Sequence, residues 1–207
     1  VPSAVETDRH RNVVAAHKLL SLLRLSPSDV ADDPRYPAYV HASVVGGGRR
    51  AKTLVPLRSA HLLHDVCAPA PSDPARYREL CDVLDSTGLY LYSPRTSDAS
   101  PSSFECRQFP RASAYPEDPA TGVAAMALAA SLWKREGHDG SPEVREYSFY
   151  QGTAMGRPSQ IGVKVRTEAI DSETGNQINT ENYKHMLTCS GLVSVIDQED
   201  LNLTLAN

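Results

Sequence analysis

The chain has 207 residues, 41% of them hydrophobic and 22% charged, with a formal net charge of −4. That length supports one large domain or two small ones, with ample chain for a core. The mild acidity, without a basic block or basic–aromatic stripe, argues against nucleic acid as partner, and no apolar run reaches the roughly 18 residues that span a bilayer.

The polar residues 1–11 are expected to be a disordered tail, and 12–207 a single domain. The chain begins at Val1 rather than Met, which suits a processed product or a fragment. The scattered cysteines, Cys67, Cys81, Cys106 and Cys189, lack paired spacing and read as buried free thiols in a reducing compartment. With no secretory leader visible, the expected location is the cytoplasm or an organellar matrix.

Val13, Ala16, Leu20 and Leu23 recur at helical spacing and predict an amphipathic helix over 12–25, with His17 packed beside the stripe. Ser26-Pro27-Ser28-Asp29 is a capped turn, and Asp32 to Pro37 a connector. Tyr39–Val45 and Arg50–Leu57 flank Gly46-Gly47-Gly48 and predict a hairpin. GGGRRAKT comes close to a phosphate-binding loop. Ala51 replaces the glycine before Lys52, however, and TLVPL follows where a helix should begin, so that reading is set aside.

Ser59 to Val66 is a short helix carrying His61 and His64 with Asp65 adjacent. No third ligand follows at a recognisable spacing, so it reads as a surface helix; neither metal nor cofactor is expected. Asp73-Pro74 starts another helix, with Tyr77, Leu80 and Leu84 on one face and Gly88 closing it. Leu89–Ser93 is a strand, Pro94–Ser103 a loop, and Phe104–Phe109 an alternating strand.

The central stretch is Tyr115 to Gly137. Asp118 reads as the N-cap and Pro119 as the first helical residue. Val123 to Ala130 is apolar on every face, so this helix, 119–136, should be surrounded by protein. Lys134 and Arg135 suit its C-terminal dipole, and Gly137 ends it. Its start offers free N–H groups to a carboxylate.

Beyond it, His138–Glu143 is a turn, Glu146–Gln151 a strand, Gly152–Ser159 a loop and Gln160–Ala169 a strand. Asp171–Asn182 is a long connection, and Tyr183–Cys189 and Leu192–Ile196 are closing strands. Asn202-Leu203-Thr204 fits a glycosylation sequon and carries little weight without a leader. The fold class expected is α+β: a mixed, mostly antiparallel sheet rolled around the buried 119–136 helix.

Glu117-Asp118-Pro119-Ala120-Thr121-Gly122, an alanine-rich helix, Gln151-Gly152 and Met155-Gly156-Arg157-Pro158-Ser159 stand in that order. Together with the FECRQFP lead-in and the 14–59 segment, they resemble the C-terminal half of the PhzF-like family of phenazine-biosynthesis isomerases. These share the diaminopimelate-epimerase type of fold, and the resemblance covers most of the chain. It implies a two-lobed protein, each lobe a sheet rolled around one helix, with the active site between lobes. The implied chemistry is cofactor-free proton transfer on a small carboxylate-bearing substrate. One lobe supplies a glutamate as principal acid/base, and the other brings the EDPATG helix start.

Carried over, Asp118 is the catalytic residue, and Thr121, Gly122, Val123 and Arg157 contact substrate. Each has a plainer reading. Taken alone, Asp118 reads as a helix cap before a catalyst, because the two roles compete for the same carboxylate oxygens, and Arg157 equally belongs to a structural pair. Glu117 reads as a solvated neighbour, and Gln151 and Ser159 as groups that satisfy turn backbone.

Two departures matter. The family commonly has serine where this chain has Val123, and nothing resembles the family's first lobe. The resemblance therefore implies an isomerase-type C-terminal lobe lacking the main glutamate, inactive as this chain alone; the alternative is a non-catalytic subunit or scaffold. The partners implied are the small carboxylate, the missing N-terminal lobe, and a second copy or another protein of a complex. No membrane or nucleic acid is expected.

Overall fold

The computed structural model describes residues 4–36, 38–42, 51–96, 101–136, 143–169 and 183–192. These form seven strands and three α-helices. The strands are β1 (Val40–Ala42), β2 (Lys52–Pro56), β3 (Gly88–Pro94), β4 (Ser103–Pro110), β5 (Val144–Gln151), β6 (Ser159–Ala169) and β7 (Tyr183–Leu192). The helices are α1 (Ala4–Leu22), α2 (Pro74–Val83) and α3 (Gly122–Glu136).

The sheet runs β1-β2-β3-β4-β5-β6-β7, each strand beside its sequence neighbour. The β2/β3 and β4/β5 pairs are parallel and the rest antiparallel. Each parallel step needs a crossover, which α2 and α3 supply. Both steps move the same way across the sheet, but the strands of the two pairs run in opposite directions, so crossovers of the usual right hand put their helices on opposite faces. Side chains obey this. On β3, Leu89 and Leu91 join the α1/α2 core with Val55, Leu57 and Phe109. Tyr90 and Tyr92 point the other way, into the α3 core with Phe104, Cys106 and Phe149. This two-residue alternation sorts one strand between two cores.

The α+β class, with a mixed sheet curved around a buried helix, is the arrangement found. α3 touches β1 and β2 as well as β5, β6 and β7, so the sheet wraps it from both ends. Ala124, Ala125, Ala127, Leu128, Ala129, Leu132 and Trp133 are its buried residues. Each fully buried leucine stabilises the packing by about 1.5–3 kcal/mol. Enclosure is incomplete, because Val123, Met126 and Ala130 form a half-buried line.

Several boundaries differ from expectation. The expected tail at 1–11 is helical from Ala4, because a helix nucleated by the packed turns at 15–23 propagates cheaply into polar residues. α1 stops at Leu22. Arg24 takes a left-handed φ of 62°, and Leu25 N–H bonds back to the Leu20 carbonyl at 3.0 Å, a Schellman ending on a non-glycine. α2 ends at Val83, where Asp85 (φ 50°) supplies the left-handed turn. Gly88 instead begins β3. There its φ is 133° and a Cβ would lie 2.1 Å from the Phe109 carbonyl oxygen.

The two closing strands expected at 183–189 and 192–196 are one strand through Leu192, since Ser190 and Gly191 keep their pairing to Gly162 and Ile161. Residues 46–48, 138–142, 171–182 and 193–196, and the sequon at 202–204, lie outside the described residues. Of the cysteines, Cys67, Cys81 and Cys106 are buried free thiols. Cys189 is exposed, because it sits on β7, at the end of the sheet order. No helix among the described residues is long and apolar enough to cross a membrane.

Candidate functional site

The expected cap at Asp118 is displaced. α3 starts at Gly122, and Thr121 caps it, its carbonyl accepting from Ala124 and Ala125 N–H at 3.1 and 3.0 Å. Residues 118–121 form a tight turn instead. Asp118 Oδ1 accepts from Ala120 N–H at 3.2 Å and Oδ2 from the Thr121 hydroxyl at 2.8 Å. An aspartate followed by Pro-Ala-Thr prefers such local bonds to a further helical turn.

The motifs downstream hold this turn. Gln151 is fully buried. Its Nε2 donates to the Asp118 carbonyl and to Thr121 Oγ1 at 3.1 Å, while its Oε1 accepts from Thr121 N–H at 3.3 Å. The Ser159 hydroxyl donates to the Pro119 carbonyl at 2.8 Å. Gly152, at φ 80°, is pressed so closely that a Cβ would meet the Arg157 carbonyl oxygen at 2.1 Å and the Pro119 oxygen at 3.0 Å. The motif pieces at 118–122, 151–152 and 157–159 are therefore one packed lock, and Gln151 and Ser159 satisfy turn backbone.

The lock leaves the first-turn donors open. The N–H groups of Gly122 and Val123 have no acceptor among the described residues, and both residues are half-buried. The Pro119 and Asp118 carbonyls, the acceptors one more helical turn would use, accept instead from Ser159 and Gln151. A 15-residue helix brings about half a positive charge to this point. Cys189 Sγ lies 3.2 Å from where a Gly122 Cβ would stand, so glycine keeps the approach open. Partial burial pushes the Cys189 thiol up.

Asp118, Thr121, Gly122 and Val123 thus share this end of α3. Arg157 does not join them as a charge. Its backbone turns under Gly152, but its side chain is exposed and makes no ion pair among the described residues. Val123 offers its N–H and no hydroxyl.

Glu117 is not solvated. Its side chain is 2% exposed and binds Arg107, also 2% exposed, through Nε–Oε1 at 2.9 Å and Nη2–Oε2 at 2.6 Å. Arg107 gives its remaining donors to the carbonyls of Leu63, Cys67 and Ala68 at 2.7, 2.9 and 3.3 Å. The pair fixes the residue before Asp118 to β4 and to the 63–68 turn. It went unread because a charge at every second strand position usually marks a wet face. Here both faces of β4 are covered.

Elsewhere, His61 pairs with Asp65 at 2.7 Å, and His64 lies 3.4 Å from Glu105. No group of three His, Cys, Asp or Glu residues suited to a metal occurs among the described residues. A cleft of about 410 Å³ opens near the other end of α3, between Arg35, Tyr36, Arg95, Leu132 and Arg145. Its arginines already pair with Asp33, Glu105, Glu136 and Glu143.

A family model described as phenazine biosynthesis-like protein matches residues 27–181. Among solved structures, the chain is similar to a phenazine biosynthesis protein of the PhzF family from Bacillus anthracis. The TM-score is 0.56 and the identity 18%, and the match covers 87% of this chain and 55% of that one. The likeness is one of fold, and the chain spans about half of that relative's length. No curated protein matches.

Proposed function

The chain belongs to the phenazine biosynthesis-like protein family, and from that premise we propose that it is the carboxylate-holding lobe of a two-lobed, cofactor-independent isomerase-type enzyme. The observation carrying this is the start of α3. Two N–H groups with no acceptor among the described residues, Gly122 and Val123, sit beside an oriented carboxylate, Asp118. Such donors at a helix N-terminus favour an anion. A carboxylate ligand seated there faces Asp118, and one proton shared between them relieves the repulsion. Asp118 then orients the ligand and holds that proton. A second lobe supplies the principal acid/base at the reacting carbon, since proton transfer needs a group within hydrogen-bond reach of it.

The test has two arms. Short carboxylates titrated into the 15N-labelled chain should shift the Gly122 and Val123 amide resonances saturably. In D2O the chain alone should exchange no substrate proton, and adding the other lobe should restore exchange. A panel of cyclic and acyclic carboxylates that moves neither amide overturns the assignment.

A second reading, a non-catalytic subunit on the same fold, draws support from Val123, which lacks a hydroxyl at the seat, and from Glu117, whose carboxylate is committed to Arg107. It predicts no exchange even with both lobes present.

A further inference from the structure

The cleft near the C-terminal end of α3 is built from segments that the candidate site does not use. Arg35 and Tyr36 come from the segment before β1, and Arg95 follows β3. Leu132 and Glu136 belong to the last turns of α3, and Arg145 lies near the start of β5. The volume, about 410 Å³, falls within the roughly 300–1,000 Å³ that small-molecule sites occupy. One wall is apolar. Phe104 and Leu132 are buried there, and the half-buried Tyr36 meets Phe104 edge to face with ring centroids 6.1 Å apart. The charged groups lining the cleft are three arginines and one carboxylate, Glu136, so positive charge prevails in the lining.

The arginines are set in place before any ligand arrives. Asp33 binds Arg35 through Nε and Nη2, and the Arg35 guanidinium carbon lies 5.3 Å from the Tyr36 ring centroid. Glu105 binds Arg95 Nε at 3.2 Å, while that guanidinium lies 3.8 Å from the Tyr150 ring centroid. Glu143 and Glu136 hold Arg145. These carboxylates offset part of the charge, but they also fix the forks, which lowers the ordering cost of binding. Donors remain. Arg35 Nη1 has no acceptor among the described residues, and Arg145 commits three of the five N–H groups a guanidinium carries.

We propose that this cleft is a second ligand site, apart from the start of α3, and that it takes a phosphomonoester carried on a flat aromatic body. Guanidinium forks match the paired oxygens of a phosphate, and a dianion answers the charge of the lining better than a single carboxylate does. The ring lies along Tyr36 and the apolar wall. A bare phosphate leaves most of the volume empty.

Adenosine monophosphate, adenosine and inorganic phosphate, titrated separately into the full chain labelled with 15N and 13C, test this. Adenosine monophosphate should shift the Leu132 methyl resonances saturably and leave the Gly122 and Val123 amides in place. The site therefore stands or falls separately from the carboxylate seat. Its affinity should exceed that of adenosine and of phosphate by about tenfold or more. Arg35→Gln and Arg145→Gln should each weaken it about tenfold, the worth of one charge-assisted hydrogen bond. Arg35→Lys, which keeps the charge without the fork, should recover only part of that loss. The Arg35 side chain is 75% exposed, so its variants fold, and a thermal melt checks Arg145→Gln. Leu132 resonances that stay still at millimolar adenosine monophosphate overturn the proposal, and so does affinity unchanged in both glutamine variants. Equal affinity for adenosine monophosphate and phosphate removes the aromatic half of the assignment and overturns it too. Shifts confined to Gly122 and Val123 would move the anion to the start of α3 and leave this cleft without a ligand.

Discussion

Removing Glu117 should unfold much of what positions the candidate site. The Arg107 guanidinium has five N–H donors. Two go to Glu117, at 2.9 and 2.6 Å, and three to the Leu63, Cys67 and Ala68 carbonyls. Glu117→Ala leaves a cation 2% exposed without its anion, a loss expected to cost about 3–5 kcal/mol. Arg107→Met strands the carboxylate and three carbonyls and should cost at least as much. The double variant Arg107→Met/Glu117→Leu removes both charges, but the three carbonyls still lose donors worth about 1 kcal/mol each. It should therefore recover only part of the loss, ending about 2–4 kcal/mol below the unaltered chain. Urea unfolding followed by circular dichroism and by Trp133 fluorescence reads these values, coincident transitions validating the two-state treatment. If Glu117→Ala loses less than about 1 kcal/mol at an unchanged m-value, the pair is not the buried tie described and the reasoning is wrong.

Gln151→Ala should destabilise by about 2–4 kcal/mol, since the Asp118 carbonyl and Thr121 N–H lose their partner; the same unfolding assay measures it, and the Gly122 and Val123 amide resonances should broaden. Gly152→Ala sets a Cβ 2.1 Å from the Arg157 oxygen at φ 80° and should cost about 3–4 kcal/mol. Gly156→Ala, at φ 68° with no heavy atom within 4 Å, should cost only about 1 kcal/mol of backbone strain; equal losses at the two sites would refute the close packing. A thiol reagent should modify Cys189 promptly in the native chain and Cys67, Cys81 and Cys106 only on unfolding. The first is exposed and the others are buried, and burial pushes Cys67 and Cys81 up to about 12. Mass spectrometry after timed labelling locates the adducts.

The parts of this protein written into local order of residues are those whose physics is local. The alternation of Phe104 to Phe109, the Asp73-Pro74 helix start and the all-round apolar run from Val123 to Ala130 each declare an element without any neighbour. The EDPATG, QG and GRPS pieces likewise announced a family and a helix start with open donors. What they do to one another could not be read, because Gln151 reaches Thr121 across thirty residues and Ser159 reaches Pro119 across forty. Those distant claims on the Asp118 and Pro119 carbonyls help hold the local turn, and α3 begins at Gly122 and not Pro119.

Charge on a strand is ambiguous in the same way. Glu117, Arg107 and Gln108 look like surface residues in the chain order. Only the folding of the 62–68 turn over one face of β4, and α3 over the other, makes one pair a buried tie and the third an orphan beneath the candidate seat. Periodicity dictates which way a side chain points along its own element. Whether water or protein waits there is decided by segments far away in sequence, so burial, pairing and the chemistry that follows from them belong to the tertiary structure.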